Sequence, residues 1–316
     1  MYTLIWNQTL EDFGTHQEAA NLSRKTIANR EECLRLLAAR TGKAPATITT
    51  EDLERALARP HARTGEQLAA GTKMTERSYF QTFFAWLKTS GRREADPAAA
   101  LHRIKKPRRR PRPFRQAQVE SILDGGSYKR TRDIMTIAAL SGLRIGEIVK
   151  IRGEDLDWEV SELHTVRKGS LEHVIALHPV LIELAREYPR SGWWFPSPSS
   201  NVTFPNGGGH ILMKSASARV SYAIRQSGIS SGRLTGHSFR HYYATQLLAG
   251  GVSIRVVQEL LGHASLATTQ LYTEVSPEQL HEGVSVLPSL VPRSQSGRTS
   301  PVQRIRPIST AEGVAA

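Results

Sequence analysis

Residues 103–115 read RIKKPRRRPRPFR: eight of the thirteen are Lys or Arg, three are Pro and none is acidic. Proline fixes φ and lacks an N–H, and like charges in a row repel one another, so neither a regular helix nor a strand suits this segment. No continuous core can run through it. It divides the 316 residues into a domain over 1–102, an extended interdomain linker over 103–115 and a second domain over 116–283. Both parts are long enough for a core of their own. A solvated spacer is one use for such a linker. With no acid to balance the charge, the stronger reading is a strap along DNA phosphates, held by Arg103, Lys105, Lys106, Arg108, Arg109, Arg110 and Arg112. Each phosphate contact would steepen the salt dependence of binding.

The N-terminal part reads as helical throughout. From Arg24 to Arg40, Ile27, Leu34 and Leu37 share one face and Ser23 can cap the start. Thr50 precedes a short helix over Glu51–Ala58. The strongest period is in KMTERSYFQTFFAWLKTSG, where Phe80, Phe83, Phe84 and Leu87 recur at helical spacing and Gly91 can end the helix. Such a cluster could stack bases, but a buried core is the better reading. A bundle of four or five helices is expected, beginning almost at residue 1.

The second domain mixes elements. Helices are expected over Gln116–Leu123, Thr131–Ser141, from Val180, and over Lys214–Gln226, Phe239–Gly250, Ile254–Leu261 and Leu266–Tyr272. Short strands are expected near Leu163–Val166 and Val174–Ala176, and WWFPSPSSNVTFPNGGG must be loop. The fold class is therefore mainly α with a small antiparallel β-sheet in the second domain, an α+β chain. From 284 to 316, Pro, Ser and Arg dominate and disorder is expected; the closing Val-Ala-Ala resembles the small apolar ends that bacterial proteases read.

Charge narrows the partner. Lys and Arg number 42 against 29 acids, a net charge of +13, which favours a polyanion such as nucleic acid. No run approaches eighteen apolar residues, and the N-terminus lacks a basic stretch followed by an apolar one, so neither a membrane span nor a secretory signal is expected. The single cysteine, Cys33, excludes an internal disulfide and a zinc cluster, and fits a reducing cytoplasm.

Four segments carry chemistry. ALSGLRIGEIVKIRGEDLD centres on Arg144, TVRKGSLEHVIAL on Lys168, HSFRH holds His237, Arg240 and His241, and LLGHASLATTQLYT holds His263 and Tyr272. In this order and spacing, over roughly 135 to 275, they resemble the tyrosine recombinase, or phage integrase, family. That family pairs an Arg in a GLRxxE setting with a hairpin Lys, an HxxR pair, a His in LGH and a nucleophilic Tyr nine residues on. The helical N-terminal region is similar to the family's core-binding domain in architecture only.

The resemblance implies a role for each position. Phosphoryl transfer builds charge on the non-bridging oxygens, which guanidinium groups match in geometry, so Arg144 and Arg240 are the natural clamp, with His263 adding a hydrogen bond. Tyr272 is the nucleophile. Its phenol is protonated at neutral pH and must lose a proton as it attacks, with His237 assisting. Lys168 is the candidate general acid for the departing 5′ oxygen. Here the sequence departs from the usual Gly-Lys-Gly: it has Arg167-Lys168-Gly169, with His173 near the customary downstream Arg, so Arg167 stands as a substitute. Glu147 reads as a structural partner of Arg144, His241 as a buried residue behind the site, and Tyr242 and Tyr243 as packing residues. The chemistry implies no cofactor and no metal.

The resemblance thus implies a site-specific DNA recombinase acting through a 3′-phosphotyrosyl intermediate and a Holliday junction. The two domains would form a DNA clamp. Four protomers would act on double-stranded attachment sites, with segments beyond Tyr272 packing on a neighbour, and accessory DNA-bending or directionality proteins as possible partners. A phage or prophage integrase in the bacterial cytoplasm, at the nucleoid, is the first reading. A chromosome-dimer or transposon recombinase stands next, ahead of a type IB topoisomerase or a non-enzymatic DNA-binding regulator.

Overall fold

The computed structural model describes residues 2–105, 113–166, 172–229, 234–262 and 277–290. Its contacts divide the chain into two compact units, Met1–Arg110 and Pro111–Ala316. Among the described residues no helix is long and apolar enough to cross a membrane.

The first unit is a four-helix arrangement: α1 (Tyr2–Ala19), α2 (Arg24–Thr41), α3 (Thr50–Ala58) and α4 (Ala70–Thr89). Trp6, Leu10 and Phe13 of α1, Leu34 and Leu37 of α2, and Phe80, Phe83 and Phe84 of α4 are all buried. Phe83 is the hub: its ring stacks on Trp6 at 5.5 Å and meets Phe13 edge-on at 5.2 Å. The aromatic cluster is thus core rather than a base-stacking surface. Ser23 caps α2, its side chain accepting from the Thr26 N–H at 3.2 Å. The cap of α3 is Thr49, one residue before the expected Thr50, because only Thr49 has an acid three residues on. Asp52 Oδ2 accepts from the Thr49 N–H at 2.9 Å, and Thr49 Oγ1 accepts from the Asp52 N–H at 3.2 Å.

The second unit is built around α6 (Lys129–Ser141), in which every residue from Asp133 to Ser141 is buried. A helix covered all round belongs at a core's centre. Packed about it are α5 (Gln116–Asp124), α7 (Ile145–Ile148), α8 (Pro179–Arg186), α9 (Met213–Gln226) and α10 (Gly236–Ala249), with α11 (Ile254–Leu261) against α10 and α12 (Pro277–Ser285) against α11. A three-stranded antiparallel sheet runs in the order β1 (Leu156–Asp157), β2 (Glu162–Val166), β3 (Glu172–Ala176), with Leu163 opposite Ile175 and Thr165 opposite His173. The architecture is mainly α with a small antiparallel sheet. β1 has two residues, too few to show alternation in sequence, and it pairs because Leu156 lies opposite Leu163.

One boundary differs from expectation. The chain does not leave the core at 284: Val284, Leu287 and Leu290 are buried, and the His178 ring lies 3.2 Å from the Leu287 carbonyl. Their spacing of three residues straddles Pro288, so no helical period announces them. Residues 291–316 lie outside the described residues, as does the expected helix Leu266–Tyr272.

Candidate active site

Arg144 stands at the N-cap of α7, two residues after Gly142, the C-cap of α6. Gly142 has φ +65°, and a Cβ there would come within 2.6 Å of the Tyr243 ring. Left-handed backbone and close approach together demand glycine. Glu147 holds Arg144 twice: one carboxylate oxygen accepts from the Arg144 N–H and the other from Nη1, both at 2.8 Å. The Arg144 side chain is nonetheless 47% exposed, able to meet a ligand. This is the structural role expected of Glu147.

His237 and Arg240 lie in the first turns of α10, whose N-cap Thr235 accepts from the His237 N–H at 3.3 Å. His237 is exposed while Arg240 is buried. The Arg240 guanidinium donates from Nη1 to the Gly142 carbonyl and from Nη2 to the Leu261 carbonyl, each at 2.6 Å. Gly142 lies two residues before Arg144, and Leu261 two residues before His263. One side chain thus fastens the segments leading to both.

The end of α11 is held twice. A helix leaves its last carbonyls unpaired. Here Arg240 takes that of Leu261, and the His173 ring of β3 lies 3.3 Å from that of Leu260. His173, which in sequence stands only near the place of a customary Arg, thereby ties the strand after Lys168 to the helix before His263. No sequence signal marks such a contact.

His237 has its pKa lowered from the usual histidine value, chiefly by the partial desolvation of its ring against the helix, though the residue as a whole is exposed, then by the charges of His241, Arg240 and Arg144. Its imidazole is held towards the neutral, proton-accepting form. His241 corrects an expectation: it is half-exposed rather than buried, its ring 5.0 Å from that of His237, because that side of α10 faces outwards. Tyr242 and Tyr243 are fully buried, with neither hydroxyl hydrogen-bonded among the described residues, and burial pushes the Tyr242 phenol up to about 12 and Tyr243 higher still. They pack, as expected.

Lys168, Arg167, His263 and Tyr272 lie outside the described residues, as do Lys106, Arg108, Arg109, Arg110 and Arg112 of the strap; Arg103 and Lys105 are described and exposed. Among the described residues no group of His, Cys, Asp and Glu could hold a metal ion.

The model of the phage integrase family matches residues 112–279, more than half of the chain. The chain belongs to the phage integrase family. Tyrosine recombinase XerD of Yersinia pestis is 31% identical over 229 residues, covering 69% of this chain and 77% of that protein. Tyrosine recombinase XerC of Xanthomonas axonopodis pv. citri is 32% identical over 218 residues, covering 67% and 70%. Among solved structures, the integrase from mycobacterium phage Brujita is 30% identical and covers 94% of this chain and 96% of its own, with a TM-score of 0.51. A lambda integrase tetramer bound to a Holliday junction shares the fold at a TM-score of 0.65 and 20% identity, over 84% of this chain and 80% of that one. This member of the family is a tyrosine site-specific recombinase, a DNA-binding enzyme of DNA recombination.

Proposed function

We propose that this recombinase is a phage or prophage integrase that cuts and rejoins double-stranded attachment sites through Tyr272. Arg144 and Arg240 hold the scissile phosphate, with His263 adding a hydrogen bond. Tyr272 attacks phosphorus and displaces the 5′ oxygen; His237 takes up the phenol proton and Lys168 protonates the leaving oxygen. The product is a 3′-phosphotyrosyl link with a free 5′ hydroxyl, and attack by a new 5′ hydroxyl reverses the step without ATP. The two units clamp the duplex, joined by the basic linker. Four protomers exchange strands in pairs through a Holliday junction, with accessory bending or directionality proteins where the site needs them.

The observation that carries this reading is the Arg240 bridge between the Gly142 and Leu261 carbonyls. A guanidinium carries five N–H donors in one plane, so a single group can hold backbone carbonyls and a phosphate together. A suicide substrate, nicked so that the cleaved end diffuses away, tests it. Wild type forms a covalent adduct and Tyr272→Phe does not; an adduct in the variant, or none in wild type, overturns the assignment.

The second reading, a chromosome-dimer recombinase, is favoured by the XerC and XerD relatives at 31–32% identity. The integrase reading draws on the near full-length match to the Brujita integrase and on the basic linker. Recombination between paired sites decides: product from the sequences flanking the gene supports an integrase, and product from the host's dimer-resolution site supports the alternative.

A further inference from the structure

On the second unit, away from Arg144, a groove of about 800 Å³ opens between the loop that starts α6 and the C-terminal half of α9. Arg130, Arg219 and Arg225 line it together with Tyr128 and Tyr222, and among the described residues no carboxylate does. The two tyrosines are 50% and 59% exposed. Arg130 is half-buried and gives one Nη to the Pro196 carbonyl at 3.0 Å. Burial lowers its pKa, Tyr188 opposes the shift, and the like charge of Arg219 adds to it. Two guanidiniums thus share a hollow whose walls supply no counter-charge. Such an arrangement is stabilised by a bound anion.

The place of the groove says which anion. The first residue of α9, Met213, packs against α7: a Cβ on Gly146, two residues after Arg144, would meet its sulfur at 2.9 Å. At about 1.5 Å per residue, the groove residues 218–226 lie roughly 8–20 Å along α9 from that end. A duplex offers a phosphate charge about every 1.7 Å of its axis, so DNA engaged at Arg144 has further phosphates at that reach. Exposed tyrosines beside arginines suit a sugar–phosphate backbone, with the hydroxyls donating to phosphate oxygens.

We propose that Arg130, Arg219 and Arg225, with Tyr128 and Tyr222, form a second phosphate-backbone site that grips the same duplex a few base pairs from the point of cleavage. This rests on Arg144 being the phosphate-binding end of the unit. The site reads no bases, so it adds affinity and salt dependence to all duplexes alike.

The test uses the full chain and a random-sequence duplex of about 30 base pairs. In Arg219→Gln/Arg225→Gln the slope of log affinity against log salt falls by about 2, while Arg186→Gln, on an exposed arginine that pairs with Glu183 and does not line the groove, leaves it unchanged. Arginine-specific labelling with phenylglyoxal, read by mass spectrometry, shows Arg219 and Arg225 protected by duplex and not by polyglutamate of equal charge. An unchanged slope, or protection by polyglutamate alone, overturns the proposal, the latter pointing to an acidic protein partner. The thermal midpoint checks that the variant is folded. The covalent-adduct assay on wild type reads the Tyr272 assignment separately: an adduct with an unchanged slope sinks the groove alone.

Discussion

Arg240 donates to the Leu261 carbonyl across 2.6 Å, from the first half of α10 to the end of α11. Its other Nη reaches the Gly142 carbonyl at the same distance. Arg240→Ala therefore removes two buried hydrogen bonds as well as the phosphate ligand proposed above. Leaving such acceptors unsatisfied costs about 1–3 kcal/mol each. We expect a clear fall in melting temperature and loss of covalent adduct. Arg240→Lys, with no planar fork, is expected to recover some stability but not adduct formation. Calorimetry and the suicide-substrate assay read the two effects apart.

Gly142→Ala places a methyl 2.6 Å from the Tyr243 ring at φ +65°. Gly42, at φ +64°, has nothing within 4 Å of the same position. Backbone strain of about 1–2 kcal/mol is common to both substitutions. The difference between their unfolding free energies measures the clash, and Gly142→Ala should be the worse by more than about 1 kcal/mol. Equal values in urea melts would show that Tyr243 moves aside at no cost.

Tyr243→Phe deletes a buried hydroxyl that has no hydrogen-bond partner among the described residues. Removing an unsatisfied polar group is neutral or stabilising. Stability is expected to hold or rise by up to about 1 kcal/mol, with adduct formation intact. A large loss of cleavage would instead make this phenol part of the chemistry.

Cleavage should depend on pH through His237. Its pKa is lowered, so the neutral form persists below the ordinary histidine value of 6.5. The rate is expected to stay flat from neutrality down past 6.5 and fall only at more acidic pH. The linkage has the same direction: the unfolded chain takes up the proton first, so folding stability drops as pH descends below 6.5 towards the folded value and then levels off. Arg144→Gln removes one of the charges responsible and should move the His237 titration upward, which NMR of the imidazole protons can follow.

Asp52 is held down to about 2, first by hydrogen bonds from Lys43 and then by the Thr49 cap. A depressed carboxylate contributes stability above its ordinary value of 3.8, lost as pH falls through the folded one. The first unit should weaken between about pH 4 and pH 2, and Asp52→Asn should flatten that dependence. Acid titration followed by tryptophan fluorescence, with Trp6 buried in this core, provides the readout.

Much of the fold was legible in the chain itself. Helix periods in α2, α4 and α11 show because a buried face repeats every three or four residues. The break at 103–115 shows because proline and like charge veto both regular structures locally. Among the described residues, the short patterns also single out Arg144, His237 and Arg240, whose segments the fold joins through the Arg240 hydrogen bonds. Less visible were β1, too short to alternate, the true cap Thr49, chosen by the reach of Asp52, and the buried Val284, Leu287 and Leu290, whose apolar spacing crosses a proline.

The sequence by itself determined which groups are present and in what order: Arg144, the His237 and Arg240 pair, and the glycines that local geometry needs. Tertiary structure alone decided what joins them. Arg240 reaches Gly142 across 98 residues and Leu261 across 21, and His173 reaches Leu260 across 87. The acceptors are main-chain carbonyls, which every residue carries, so no side-chain pattern can announce them. Which carbonyl is left unpaired at a helix end, and which donor arrives there, is settled only when the helices pack.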